Sequence, residues 1–131
     1  LIDNLTSRRV WLDCGGNIII EQLETLTFID VNSAKNISSG SNSILKTNME
    51  AAKEIARQLR LRNISGMIII DFINMKSEAS KDTLIEALKR YIKDDNTVCT
   101  FVDITKLGLV ELTRKKVHKS LKQILEKPLD E

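Results

Sequence analysis

The order of apolar and polar positions changes period several times along the chain, and each change predicts an element. Val10-Trp11-Leu12 and Ile18-Ile19-Ile20 are β-rich runs separated by Gly15-Gly16. Glycine supplies the positive φ that a tight reversal needs, so the two runs predict a hairpin. A third strand is expected over Leu26-Thr27-Phe28-Ile29, closing at Asp30-Val31-Asn32-Ser33. Residues 34–43 are rich in Ser, Asn and Gly and predict a mobile loop. From Ile44 the spacing turns helical. Leu45, Met49, Ala52, Ala56 and Leu59 form one stripe on a helix reaching about Arg62, with Ser43 as its N-cap.

Asn63 to Gly66 breaks that helix. Met67-Ile68-Ile69-Ile70 is then a near-continuous apolar run ending at Asp71, the pattern of a strand covered on both faces. Ser77 is placed to cap a second helix with Leu84, Leu88 and Ile92 on one side. Val98–Ile104 returns to strand, Gly108 interrupts, and Leu109–Leu112 predicts another short strand. Lys115 to Leu125 reads as a basic amphipathic helix. The succession predicts a single α/β domain, a mixed sheet with helices packed against it.

Composition narrows the class. At 42% hydrophobic residues and a net charge of +2, the chain is too apolar and too weakly charged for a disordered segment. Its apolar runs fall far short of the roughly 18 residues a membrane span needs. With 4% aromatic residues the core must be aliphatic, and Trp11 and Phe101 are expected inside it. Cys14 and Cys99 stand outside any C-x-x-C pair, so two free thiols in a reducing, cytoplasmic setting are expected. His118 is the one histidine, which excludes a His-based dyad, and it is expected to be solvated on the last helix. The chain opens on Leu1 rather than Met, which suggests a piece of something longer.

Two carboxylates carry the candidate chemistry. Asp30 closes the run Phe28-Ile29 and Asp71 closes Ile68-Ile69-Ile70, with one loop and one helix between them. If that helix is the crossover of a β-α-β unit, the two strands are parallel neighbours. Both acids then lie at the carboxyl edge of the sheet, where open α/β sheets bind ligands. Neighbouring strands are about 4.8 Å apart, close enough for two carboxylates to share one hard cation such as Mg²⁺, which takes one or two carboxylates plus water and phosphate. Asn32, two residues past Asp30, points to the same side in extended backbone. The plainer reading makes both aspartates turn formers at strand ends. Arg57, Arg60 and Arg62 end the first helix, and Arg114, Lys115, Lys116, Lys119 and Lys122 crowd the last. These basic groups are candidate phosphate contacts, although cations also suit a helix C-terminus.

Six collinear blocks stand out: Val10-Trp11-Leu12 with Gly15-Gly16; Ile29-Asp30-Val31-Asn32-Ser33; Lys46-Thr47-Asn48-Met49-Glu50-Ala51-Ala52; Ile55-Ala56-Arg57-Gln58-Leu59-Arg60-Leu61-Arg62; Ile68-Ile69-Ile70-Asp71-Phe72-Ile73; and Leu107-Gly108-Leu109-Val110-Glu111-Leu112-Thr113-Arg114-Lys115. Together they resemble the ribonuclease E/G family. The resemblance covers nearly the whole chain. It implies the catalytic, deoxyribonuclease-I-like subdomain of a larger, Mg²⁺-dependent endoribonuclease acting on single-stranded RNA in RNA processing and decay. The products would carry 5′-phosphate and 3′-hydroxyl ends, and the subdomain by itself would be weakly active or inactive. By motif, Asp30 and Asp71 become the metal ligands and Asn32 their supporting amide, with Mn²⁺ as a substitute metal. RNA contacts are expected from Arg57, Arg60, Arg62, Arg114 and Lys115.

The sequence departs from the family pattern in three places. Lys127-Pro128-Leu129-Asp130-Glu131 stands where a Cys-Pro-x-Cys zinc link would join two protomers, so no zinc site is expected in this chain and a homo-oligomer stays an open alternative for the full-length protein. Asn74 replaces the family's second Asp in Asp-Phe-Ile-Asp and is given no metal role. Asp95-Asn96-Thr97-Val98 carries none of the basic residues that help to sense a 5′-monophosphate. The competing reading is a non-catalytic RNA-binding or assembly module working through the basic patches.

Overall fold

The computed structural model of the protein describes residues 7–34 and 41–116. The hairpin forms as expected. β1 (Arg9–Trp11) pairs antiparallel with β2 (Asn17–Gln22), and Gly15 closes the reversal at a φ of 97°. The Gly15 N–H donates to the Leu12 carbonyl at 3.0 Å, and the Leu12 N–H donates to the Gly16 carbonyl at 2.9 Å. β2 pairs antiparallel with β3 (Thr27–Asn32). The helix α1 (Ser41–Leu61) then crosses over to β4 (Gly66–Asp71), which lies parallel to β3. After α2 (Glu78–Lys93) come β5 (Cys99–Ile104) and β6 (Val110–Arg114), and β6 inserts between β4 and β5. The result is the expected α/β architecture, one six-stranded mixed sheet in the order β1-β2-β3-β4-β6-β5 with both helices packed on it.

Alternation along the strands sorts the two faces. Ile18, Ile20, Ile29, Val31, Ile68, Ile70, Val110 and Leu112 are buried against Ala52, Ile55, Ala56 and Leu59 of α1 and Leu84 and Leu88 of α2. Each such aliphatic side chain contributes about 1.5–3 kcal/mol on burial, so the core is aliphatic, as the composition requires. Ser77 caps α2 as expected, accepting from the Ser80 N–H at 3.2 Å. Cys14 and Cys99 are free thiols. No helix among the described residues is long and apolar enough to cross a membrane.

Four expectations change. The first helix begins at Ser41, so Ser43 sits in its first turn rather than at its cap, and residues 41–43 are helical rather than loop. Trp11 is 62% exposed instead of buried, because β1 is an edge strand whose Val10 takes the core-facing position. Phe101 is only partly buried, packing against the core from β5 at the other edge. The run Met67–Ile70 is covered by helices on one face only. Ile68 and Ile70 enter the core, while Ile69 lies on the other face between its register partners Phe28 and Glu111, and Met67 is 48% exposed. Residues 35–40 of the predicted loop, and nearly all of the predicted basic helix with His118, lie outside the described residues.

One close approach ties the hairpin to the strand that carries Asp30. A Cβ placed on Gly16 would lie 2.6 Å from the Asn32 carbonyl oxygen and 3.2 Å from the Thr47 methyl. Gly16→Ala therefore has to displace the end of β3, and is expected to cost about 1–3 kcal/mol. Urea denaturation measures it, and an unchanged midpoint would show that the turn relaxes without moving β3.

Candidate active site

The crossover through α1 brings the two aspartates together. Asp30 and Asp71 are direct register partners in the parallel β3–β4 pair, at a strand spacing of about 4.8 Å. Partners across a ladder share a face. Because Ile29, Val31 and Ile70 enter the core, Asp30 and Asp71 project from the face that the helices leave uncovered. Asn32 follows Asp30 by two residues, on the same face. Its Nδ2 donates to Asn17 Oδ1 at 3.3 Å, and Asn17 is its register partner on β2. The three residues predicted from the sequence thus converge, at the carboxyl end of parallel strands where open sheets place ligands.

The electrostatics of the pair are unfavourable without a counter-charge. Burial pushes the Asp30 carboxyl above its ordinary 3.8, and the charge of Asp71 pushes it further. Hydrogen bonds from the Asn32 side chain and the Val31 N–H act in the opposite direction and offset only part of this. Among the described residues no group of three or more His, Cys, Asp or Glu side chains assembles, so the donor set here is two hard carboxylates with one supporting amide.

Two further features were not read from the sequence. Asn48 of α1 is fully buried; its Nδ2 donates to the Ile73 carbonyl at 2.9 Å and its Oδ1 accepts the Ile73 N–H at 3.0 Å. This paired bond fixes the chain two residues beyond Asp71. The signal was present, since Asn48 is a polar residue on the apolar stripe between Leu45 and Ala52. The second feature is a cavity of about 390 Å³ beside Asp71, walled by Phe72, Asn74 and Met75, by the start of α2 and by the Thr105–Gly108 loop. Lys81 and Lys106 line it, although Lys81 also pairs with Glu78 at 3.2 Å.

The basic candidates fall elsewhere. β6 runs antiparallel to β4, so Arg114 lies opposite Gly66, about 16 Å along the strand from Asp71. Lys115 follows it and is exposed. Arg57 and Arg60 are exposed on α1, the layer on the opposite side of the sheet from the aspartates, and Arg57 pairs with Glu54 at 2.8 Å. Arg62 Nη2 donates to the Ser7 carbonyl at 2.7 Å and its Nε to Gln58 Oε1 at 2.8 Å. Arg114, also predicted as a phosphate contact, is engaged inside the fold. Its side chain is 4% exposed and forms a two-pronged bridge to Asp95, Nε to Oδ2 at 2.7 Å and Nη2 to Oδ1 at 3.1 Å, while Nη1 donates to the Ile64 carbonyl at 3.0 Å.

A family model described as the Ribonuclease E/G family matches residues 1–117. The chain belongs to the ribonuclease E/G family. Ribonuclease E of Synechocystis sp. is 48% identical over 125 residues, which are 94% of this chain and 18% of that protein. Ribonuclease G of Escherichia coli K12 is 38% identical over 126 residues, 95% of this chain and 26% of that protein. The chloroplastic ribonuclease E/G-like protein of Arabidopsis thaliana is 38% identical over an aligned stretch of 131 positions that covers 97% of this chain and 13% of that protein. The chain thus spans between 13% and 26% of the length of these relatives. Within this ribonuclease E/G chain, Asp30, Asn32 and Asp71 all fall in the matched residues, as does the paired contact from Asn48.

Proposed function

We propose that the chain is the catalytic subdomain of a metal-dependent endoribonuclease acting on single-stranded RNA. The observation that carries this reading is the direct register pairing of Asp30 with Asp71 on the uncovered face of the sheet. A pure binding surface for phosphate gains nothing from two adjacent carboxylates, and one of them is held above its ordinary pKa by burial and by its neighbour, a cost that a shared cation would relieve. Two carboxylates supported by an amide suit Mg²⁺ or Mn²⁺, which complete their shell with water and substrate phosphate. Asp30 and Asp71 would hold the ion.

A bound Mg²⁺ supplies an activated water at neutral pH and neutralises charge on the phosphate in flight. The residues of this chain do the rest. Asn32, braced by Asn17, keeps the Asp30 carboxylate in one orientation. Asn48 anchors the backbone at Ile73, two residues beyond Asp71, and so helps to fix the chain that carries the second acid. Lys106, which lines the cavity beside Asp71, would supply a cation to the sugar–phosphate chain there. Water oxygen joins phosphorus, the bond from phosphorus to the 3′-oxygen breaks, and that oxygen takes a proton. The ends left are a 5′-phosphate and a 3′-hydroxyl.

Calorimetric titration tests the reading. The wild-type chain is expected to take up Mg²⁺ and Mn²⁺, with release of protons in acid, where the raised Asp30 carboxyl must give up its proton to ligate. Asp71→Asn is expected to lose that binding. Equal uptake by both proteins would remove the pair from the site. The competing RNA-binding module predicts indifference to EDTA, and the burial of Arg114 and the scatter of the remaining basic residues weaken its support.

A further inference from the structure

The uncovered face of the sheet carries more than the acids. Following the register across four strands, Arg9, Ile19, Asp30 and Asp71 form one row, and Trp11, Asn17 and Asn32 form the row beside it. Trp11 and Arg9 therefore project from the same face as the acidic pair, across β2, at about 10 Å from Asn32 and Asp30 respectively. The Arg9 guanidinium lies over the Trp11 ring, 5.6 Å from its centroid, yet the indole stays 62% exposed. A large, flat, rigid aromatic held open by an edge strand, with a cation at its side, is the pairing that single-strand binders present to a base and its phosphate. Among the described basic residues named as phosphate contacts from the sequence, none shares this row.

We propose that Arg9 and Trp11 form a nucleotide subsite for single-stranded RNA, the indole stacking on a base and the guanidinium meeting the backbone phosphate next to it. The subsite rests on the reading of Asp30 and Asp71 as the cleavage centre, because its use is to hold the strand that passes over them. It explains how a chain with 4% aromatic residues grips single-stranded RNA: the one tryptophan is placed where it meets the strand. The charge is complementary as well, since a phosphate repelled by two carboxylates finds its cation two strands away. Base stacking carries little sequence preference, so the subsite sets where the strand lies and not which base is read.

Trp11 is the single tryptophan of the chain, so intrinsic fluorescence reports this site alone. The test uses Asp30→Asn/Asp71→Asn protein, which does not cut, titrated with a single-stranded oligoribonucleotide while the anisotropy of a label on the RNA is followed in parallel. Expected are saturable quenching of Trp11, an affinity about tenfold weaker in Trp11→Ala by anisotropy, and near-complete rescue in Trp11→Phe. Arg9→Gln is expected to lower the slope of log affinity against log salt by about one. RNA binding by anisotropy with a flat Trp11 signal and no effect of Trp11→Ala would overturn the subsite, assign the indole to a protein contact and leave the acidic pair untouched. No RNA binding by either readout would overturn the subsite together with the RNA reading of this face, whereas loss of Mg²⁺ uptake in Asp71→Asn would still stand by itself.

Discussion

Asp30→Asn is expected to reduce cleavage of single-stranded RNA by on the order of 10³-fold and, in the same protein, to raise the melting temperature in EDTA at neutral pH. The two effects share one cause. The carboxyl of Asp30 is held above its ordinary 3.8, first by burial and then by Asp71. A carboxyl raised on folding holds its proton more tightly in the folded chain than in the unfolded one. Its contribution to stability is therefore complete below pH 3.8 and is lost as the pH rises through the raised value. At neutral pH the ionised acid works against folding, and an amide of the same shape removes that opposition. Mg²⁺ reverses the order: a cation that binds only the folded wild type stabilises it by mass action, and the variant lacks the ligand. Thermal melts of both proteins with EDTA and with Mg²⁺, beside a cleavage assay, check the whole chain of argument. A variant that melts lower than wild type in EDTA would show that Asp30 is structural, and one that cuts normally would remove it from the chemistry. Stability given up for a charged pair is the usual mark of a working site.

The acidic pair was legible because it depends on topology alone. A helical stripe between two apolar runs predicts a β-α-β unit, and residues that end such runs must meet at one edge of the sheet; Asp30 and Asp71 do so in register. What was not legible depends on which edge a strand occupies and on contacts distant in sequence. Trp11 stands in the same apolar run as Val10, and only the register of β1 on β2, at the rim of the sheet, decides that Val10 enters the core and the indole faces outward. The apolar run of β4 suggested two covered faces, yet register neighbours on adjacent strands suffice to shelter Ile69. Arg114 stood among lysines as one more cation, because its acid, Asp95, sits 19 residues earlier in a turn whose pattern is simply polar. Asn48 was the reverse case: a visible break in an apolar stripe whose purpose, holding the backbone of Ile73, appears only in three dimensions.

The second large effect is expected at that buried bridge. Arg114 and Asp95 have side chains 4% and 3% exposed. Burial by itself would raise the Asp95 carboxyl, but the bonds from Arg114 and from the Thr97 N–H outweigh it and hold the acid below its ordinary 3.8. The bridge ties the turn after α2 to the end of β6, and through Nη1 it reaches Asn63 and Ile64 at the turn between α1 and β4. Removing one partner strands a buried charge, so Asp95→Ala and Arg114→Ala are each expected to cost about 3–5 kcal/mol. Replacing both, as Asp95→Leu with Arg114→Met, is expected to recover most of that loss, because a packed apolar pair leaves no charge uncompensated. The pH dependence has a definite sign. The stabilisation is present above pH 3.8 and is lost as the pH falls through the lowered value, so wild type is expected to unfold in acid more steeply than the apolar double variant. Urea unfolding at pH 7 and at pH 3 distinguishes the cases. If Arg114→Ala instead kept its stability and weakened RNA binding, Arg114 would be a phosphate contact after all, and the bridge to Asp95 incidental. If the loss is structural, its weight falls on the turn that delivers the chain into β4, and so on the placement of Asp71 at the far end of that strand.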